Sequence, residues 1–110
     1  MDKMKLDDFS KVDLRVGLIT SVQEHPNADK LFVLKVDLGE DEERTIVAGL
    51  RGHYSAEELK GKKAIFVANL ESVKLRGIES NGMILAVNGT ENDIVILVPN
   101  GDAEIGSRVR

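Results

Sequence analysis

The 110-residue chain has no cysteine, no tryptophan, two prolines and only four aromatic side chains, Phe9, Phe32, Tyr54 and Phe66. Without cysteine there is neither a disulfide framework nor a thiolate metal site. No apolar run approaches the length of a membrane-spanning helix; the longest, from Ile94 to Pro99, stops far short. The segment from Met1 to Phe9 lacks the apolar core of a signal peptide, so the sequon Asn88-Gly89-Thr90 reads as a turn rather than a glycan site. These absences point to a cytoplasmic protein with no membrane partner, and Met1 at the start fits a short natural chain.

What remains is the composition of an ordinary folded domain, 42% hydrophobic and 31% charged. A chain of this length is expected to form one domain, residues 1–110, with a core of its own. Net charge is −4, which at first argues against a polyanionic partner. The distribution matters more than the total: residues 1–43 carry −5, residues 44–82 carry +3 and residues 83–110 carry −2. Folding can gather the basic middle on one face, while the acidic remainder limits indiscriminate binding.

Strand patterns dominate. Val12 to Ile19 alternates apolar and polar residues and runs on through Val22 as a long first strand, with Gly17 marking a bend or bulge. His25-Pro26-Asn27-Ala28-Asp29 is a loop. Leu31 to Leu38 and Arg44 to Leu50 read as the second and third strands, turned by Gly39 to Glu43. Ser55 and Glu58 form a capping box for one short helix, which Gly61 ends. Ala64 to Leu70 is a fourth strand, a charged connection runs from Glu71 to Gly82, and Met83 to Val87 is a fifth. A meander, a helix between strands three and four, then two strands give an all-β OB-fold, a five-stranded Greek-key barrel.

The barrel is complete near Val87, yet the apolar strand Ile94 to Val98 follows. A strand apolar at every position expects cover on both faces. With the barrel as one cover and a second copy as the other, the chain is a homodimer with residues from about Ile94 onward at the interface. The competing arrangement has this strand close the bottom of the barrel.

Catalysis finds no support. His25 and His53 show no metal-binding spacing, Ser80 does not sit in a nucleophile elbow, and no phosphate-cradling loop is present. No cofactor or metal is expected, and the chain is not expected to be an enzyme.

Five stretches together resemble a known family: Asp13 to Gly17, His25 to Leu31, Arg44 to Leu50, Val67 to Leu70 and Lys74 to Met83. In that order they are similar to the tRNA-binding domain at the C-terminus of many methionyl-tRNA synthetases. Similar domains occur as a separate synthetase beta subunit, as a stand-alone dimeric tRNA-binding protein and in EMAP II-like proteins. The resemblance runs from about Phe9 to the C-terminus. It implies an OB barrel, a homodimer, and binding of tRNA as a folded object with little regard to sequence. Catalytic and anticodon-reading domains are absent from these 110 residues. The implied role is therefore a beta subunit of methionyl-tRNA synthetase or a partner to it in trans. The same fold occurs in a dimeric export chaperone, so peptide binding is the alternative.

The candidate RNA-binding residues centre on the connection before strand five, which commonly lines the binding face of an OB-fold. Lys74 and Arg76 can neutralise phosphates, Arg76 through a two-pronged fork. Ser80 and Asn81 can bond phosphate, ribose or a base edge. Lys30 and Arg44 extend the positive surface where the family pattern keeps basic residues, and Asn69 is either a ligand contact or a strand-end cap. Lys62 and Lys63 read as a solvated face, and Arg15 as the partner of Asp13. With so few aromatics there is no platform for stacking successive bases; contacts to the backbone of structured RNA, with strong salt dependence, fit better.

Overall fold

A computed structural model describes residues 1–110. Strand β1 (Leu14–Glu24) runs the length of the barrel and changes partner along the way. Its first half, Leu14 to Leu18, pairs with β4 (Lys63–Val67), and its second, Leu18 to Glu24, pairs with β2 (Phe32–Asp37). β2 in turn pairs with β3 (Arg44–Ala48), giving with β7 (Met83–Ile84) the antiparallel order β3-β2-β1-β4-β7. This is the expected OB-like barrel, nearly closed.

The bend in β1 does not sit at Gly17. The register slips between Ile19 and Ser21, so the extra residue is Thr20. Gly17 instead makes room: a β-carbon there would lie 2.7 Å from both Leu38 Cδ2 and Phe66 Cδ1. Phe66 is fully buried and sits in a cluster with Ile19, Leu34, Val36, Ile46 and Leu50, and Leu59 joins it from below. Leu59 ends the short helix α2 (Ala56–Leu59), whose capping box is formed as expected. Glu58 N–H donates to Ser55 Oγ (3.1 Å), and Ser55 N–H donates to Glu58 Oε1 (2.8 Å). A one-turn helix, α1 (Leu6–Phe9), precedes the barrel with no buried side chain.

Two regions depart from the sequence expectation. The connection from Glu71 to Gly82 is a β-hairpin, β5 (Val73–Leu75) and β6 (Ile78–Ser80), turned at Arg76-Gly77. Both turn residues have positive φ, +54° and +92°, the geometry that matches the twist of a two-residue hairpin. The fifth strand is broken: β7 stays with β4, and then β8 (Ala86–Asn88) leaves to pair with β9 (Ile94–Ile96). Ile96 is buried and its N–H donates to the Tyr54 hydroxyl (3.2 Å), while Val87 and Val95, opposite each other on the outer face, stay exposed. The tail then lies along β1 through Val16 N–H to Ser107 carbonyl (2.9 Å) and Val109 N–H to Leu14 carbonyl (2.8 Å).

Candidate nucleic-acid interface

The barrel closes between β3 and the segment joining β6 to β7, with a side chain standing in for part of the ladder. Asn81 N–H donates to the Thr45 carbonyl (2.8 Å). Next to it, Val47 N–H donates to Ser80 Oγ (2.9 Å), and that hydroxyl donates to the Gly82 carbonyl (3.1 Å). Ser80 is only 3% exposed. Its hydroxyl is used both as acceptor and as donor inside the chain, so the seam, not a ligand, explains this residue.

Arg44 is likewise engaged. Its Nε and Nη2 grip the Glu40 carboxylate at 2.8 Å each, and Nη1 donates to the Ala68 carbonyl (2.5 Å). This fork holds the Glu40 carboxyl below the ordinary carboxylate range and raises Arg44 in turn. The guanidinium thus braces the β2–β3 turn against the end of β4. Asn69 resolves the choice left open by the sequence in favour of structure: its Oδ1 accepts from Asp13 N–H (2.8 Å) and its Nδ2 donates to the Lys11 carbonyl (2.6 Å). Arg15 pairs with Asp13 as expected, Nε to Oδ1 at 2.6 Å, and also donates to the Gly106 carbonyl (3.0 Å). The Arg15 hydrogen bond holds the Asp13 carboxyl low, with Arg108 at 3.6 Å adding to it. Lys63 ties down the tail by donating to the Ala103 carbonyl (2.5 Å) and to Asp102 (3.2 Å).

Four candidates present unengaged polar heads: Lys30, Lys74, Arg76 and Asn81 are exposed, and none forms a salt bridge. Lys74 lies mid-hairpin opposite Glu79, and Arg76 occupies the tip. Asn81 lines a separate hollow with Glu40, Asp41, Glu42, Glu43 and Glu79, against which Arg44 is the one cation. Five carboxylates repel phosphate, so this acidic hollow bounds the basic surface on the β2–β3 side. Among the candidate residues, the cations outside any salt bridge are Lys30 on the β1–β2 loop and Lys74 and Arg76 on the hairpin.

The sequence reading missed what joins these two segments. His25 is 2% exposed. Its Nδ1 accepts from Asn27 N–H (3.0 Å), which leaves the ring proton on Nε2, 2.9 Å from the Leu75 carbonyl of the hairpin. Arg51, also passed over, holds the loop from the other side through Glu24 (3.0 Å) and the Ala28 carbonyl (3.4 Å). The inner face of the hairpin forms an apolar groove of about 510 Å³ with Leu70, Val73, Leu75 and Met83 in its lining. No three His, Asp or Glu side chains gather at metal-binding distance.

Residues 14–108 match the family model described as "Putative tRNA binding domain". The chain belongs to this tRNA-binding domain family. The methionine–tRNA ligase of Pyrococcus horikoshii is 54% identical over 110 residues, all of this chain but 15% of the ligase. That of Nanoarchaeum equitans is 47% identical over 103 residues, 94% of this chain and 13% of the ligase. The chain thus spans about one-seventh of the length of these curated relatives. Among solved structures, a MetRS related protein from Pyrococcus horikoshii matches with a TM-score of 0.91 and 36% identity, covering 100% of both chains. The CsaA chaperone protein from Picrophilus torridus matches with a TM-score of 0.89 and 28% identity, covering 98% of this chain and 100% of that one. Set on the tRNA-binding domain fold, all five sequence stretches that carried the resemblance contribute to the inter-element ties just described, Val67 to Leu70 through the Ala68 carbonyl and Asn69. Asp13 to Gly17 supplies Asp13 and Arg15, His25 to Leu31 the buried imidazole, Arg44 to Leu50 the brace and Lys74 to Met83 the hairpin and seam.

Proposed function

We propose that the chain binds tRNA as a folded object, with little regard to sequence, and that Lys30, Lys74 and Arg76 carry the phosphate contacts. It does so in the cytoplasm as a non-catalytic binding domain, acting as a beta subunit of methionyl-tRNA synthetase or as a partner to it in trans. One observation carries the reading. Within a tRNA-binding family domain, three cations outside any salt bridge stand on two segments held together, Lys74 in register with Glu79 at the edge of the acidic hollow. Asn81 has a free amide, but its place beside five carboxylates makes it a rim contact at most. The four aromatics leave no platform for successive bases: Phe32 and Phe66 are buried, Tyr54 hydrogen-bonds within the chain, and Phe9 alone is exposed. Backbone contacts remain, and these read shape rather than sequence.

Filter binding of bulk tRNA across a salt series tests this. Lys74→Ala/Arg76→Ala is expected to weaken binding at least tenfold and to flatten the salt dependence by roughly two contacts. Equal binding by wild type and double mutant, or no binding by either at about 50 mM salt, a range where phosphate contacts are strong, ends the reading.

A second reading has its own observation. The apolar groove under the hairpin suits an apolar peptide segment, and CsaA chaperones share the fold. Retained peptide binding by a double mutant that has lost tRNA would favour it. The three proposed contact cations and the family favour tRNA.

A further inference from the structure

We propose that His25 is a positioning residue for RNA binding: its buried imidazole fixes the β5–β6 hairpin against the β1–β2 loop, so that Lys30, Lys74 and Arg76 meet one phosphate backbone together. The inference rests on the tRNA-binding reading above and assigns a residue to it that makes no ligand contact.

The hairpin needs such an anchor. β5 and β6 form a two-stranded sheet of their own, with no ladder to the five-stranded sheet, and an isolated ribbon of three-residue strands is marginal in water. At its base Ser80 and Asn81 lock it to β3. Toward its tip the apolar side chains give little hold, since Val73 and Leu75 are 54% and 37% exposed. The Nε2–H of His25 bonds the carbonyl of Leu75, one residue from Arg76. The loop that holds the imidazole is tied down by bonds of its own. His25 N–H donates to the Leu31 carbonyl (3.1 Å), Leu31 N–H to the Ala28 carbonyl (3.3 Å), and Arg51 braces Ala28 and Glu24. The loop is thus the fixed part and the hairpin tip the part that hangs from it. Both ring nitrogens are occupied, so His25 has no atom left for RNA; it acts through Leu75.

The imidazole makes two separable bonds, and two amide side chains can each keep one. Asparagine ends at the level of Nδ1: it retains the acceptor for Asn27 N–H and cannot reach the hairpin. Glutamine reaches the level of Nε2 and offers an N–H to the Leu75 carbonyl. Both remove ring volume from the same site, so a purely structural role would weaken tRNA binding by the two variants in step with their melting temperatures. Positioning predicts a split. His25→Asn raises the Kd for bulk tRNA about tenfold, as for a hairpin correctly placed about a tenth of the time, while His25→Gln stays within about threefold of wild type. Equal affinities for the two variants, or wild-type affinity for His25→Asn, overturn the proposal. If Lys74→Ala/Arg76→Ala loses binding in the same assay while His25→Asn does not, positioning alone fails; if the double mutant keeps binding, the tRNA reading fails first. Should His25→Asn not fold, Lys30→Ala and Arg76→Ala in the wild-type chain decide. A fixed geometry makes their losses depart from independence by more than about threefold, and simply multiplying losses overturn it.

Discussion

Arg76 stands at φ +54° at the tip of the β5–β6 hairpin. For a residue with a β-carbon that left-handed conformation costs roughly 1–2 kcal/mol, which Gly avoids and Asn partly recovers through local hydrogen bonds. Asn-Gly is also the preferred pair for such a turn. The arginine is therefore not there for the backbone, and it makes no salt bridge that would offset the cost. Arg76→Asn is expected to raise stability by a few tenths of a kcal/mol to about 1 kcal/mol, read as a higher denaturation midpoint with unchanged slope. The same variant should bind tRNA more weakly and lose about one unit of salt slope. A variant both more stable and equally good at binding would remove Arg76 from the site. Gly17 is the opposite case. Its lack of a β-carbon serves core packing against Phe66 and Leu38, not turn geometry, a reason that cannot be seen until the strands are placed.

At the scale of elements, the barrel strands and the capping box were legible because their signals are local. Alternation has period two, and Ser55 lies three residues from Glu58. The hairpin was equally local, with Val73 and Leu75 facing Ser80 and Ile78 across Arg76-Gly77, but its charged residues drew attention to phosphate chemistry ahead of alternation. A strand-end cap was one of the two readings for Asn69, and Glu40 lies four residues from Arg44, but the long-range ties of Ser80, Arg44 and Asn69 were not legible. Their partners lie 33, 24 and 56 residues away in sequence, and only the closed barrel brings them together. Three of the seven candidate residues thus have their polar groups engaged in the frame that holds the others. Ser80→Ala puts a number on that. It leaves the buried Val47 N–H without its acceptor, at a cost of about 1–3 kcal/mol. Thermal unfolding should fall by about 4 °C or more for each kcal/mol lost. Below the transition, tRNA affinity should remain within about twofold of wild type if the hydroxyl serves only the seam, because Asn81 N–H on the Thr45 carbonyl still holds the base of the hairpin. A large affinity loss with no change in melting would return Ser80 to the binding surface.

For the whole molecule, the question is what covers the outer face of the β8–β9 hairpin. The all-apolar run Ile94 to Val98 was expected to be covered on both sides, and within one chain it is covered on one. Ile96 is buried, whereas Val95 and Val98 are 39% and 51% exposed, and Val87 stands directly across from Val95 at 53%. The valine pair leaves an apolar spot on this outer face. We propose that a second copy of the chain covers it, related by a two-fold axis as most small homo-oligomers are. The consequence reaches the function. One chain offers the three proposed contact cations against a net charge of −4, a weak lure for a polyanion, whereas two chains offer six at a fixed separation. If both sets engage one tRNA, linking them raises affinity by an effective concentration, a gain of about 10²–10⁴ without any new contact. Val95→Asp places a charge at the centre of that face and is expected to give a monomer by light scattering at micromolar concentration. The monomer should keep its fold, lose at least about a hundredfold in tRNA affinity and show roughly half the salt slope of wild type. A wild-type chain that is already monomeric removes the dimer. A Val95→Asp monomer with full affinity keeps the dimer but confines binding to a single chain, and the three cations must then suffice alone.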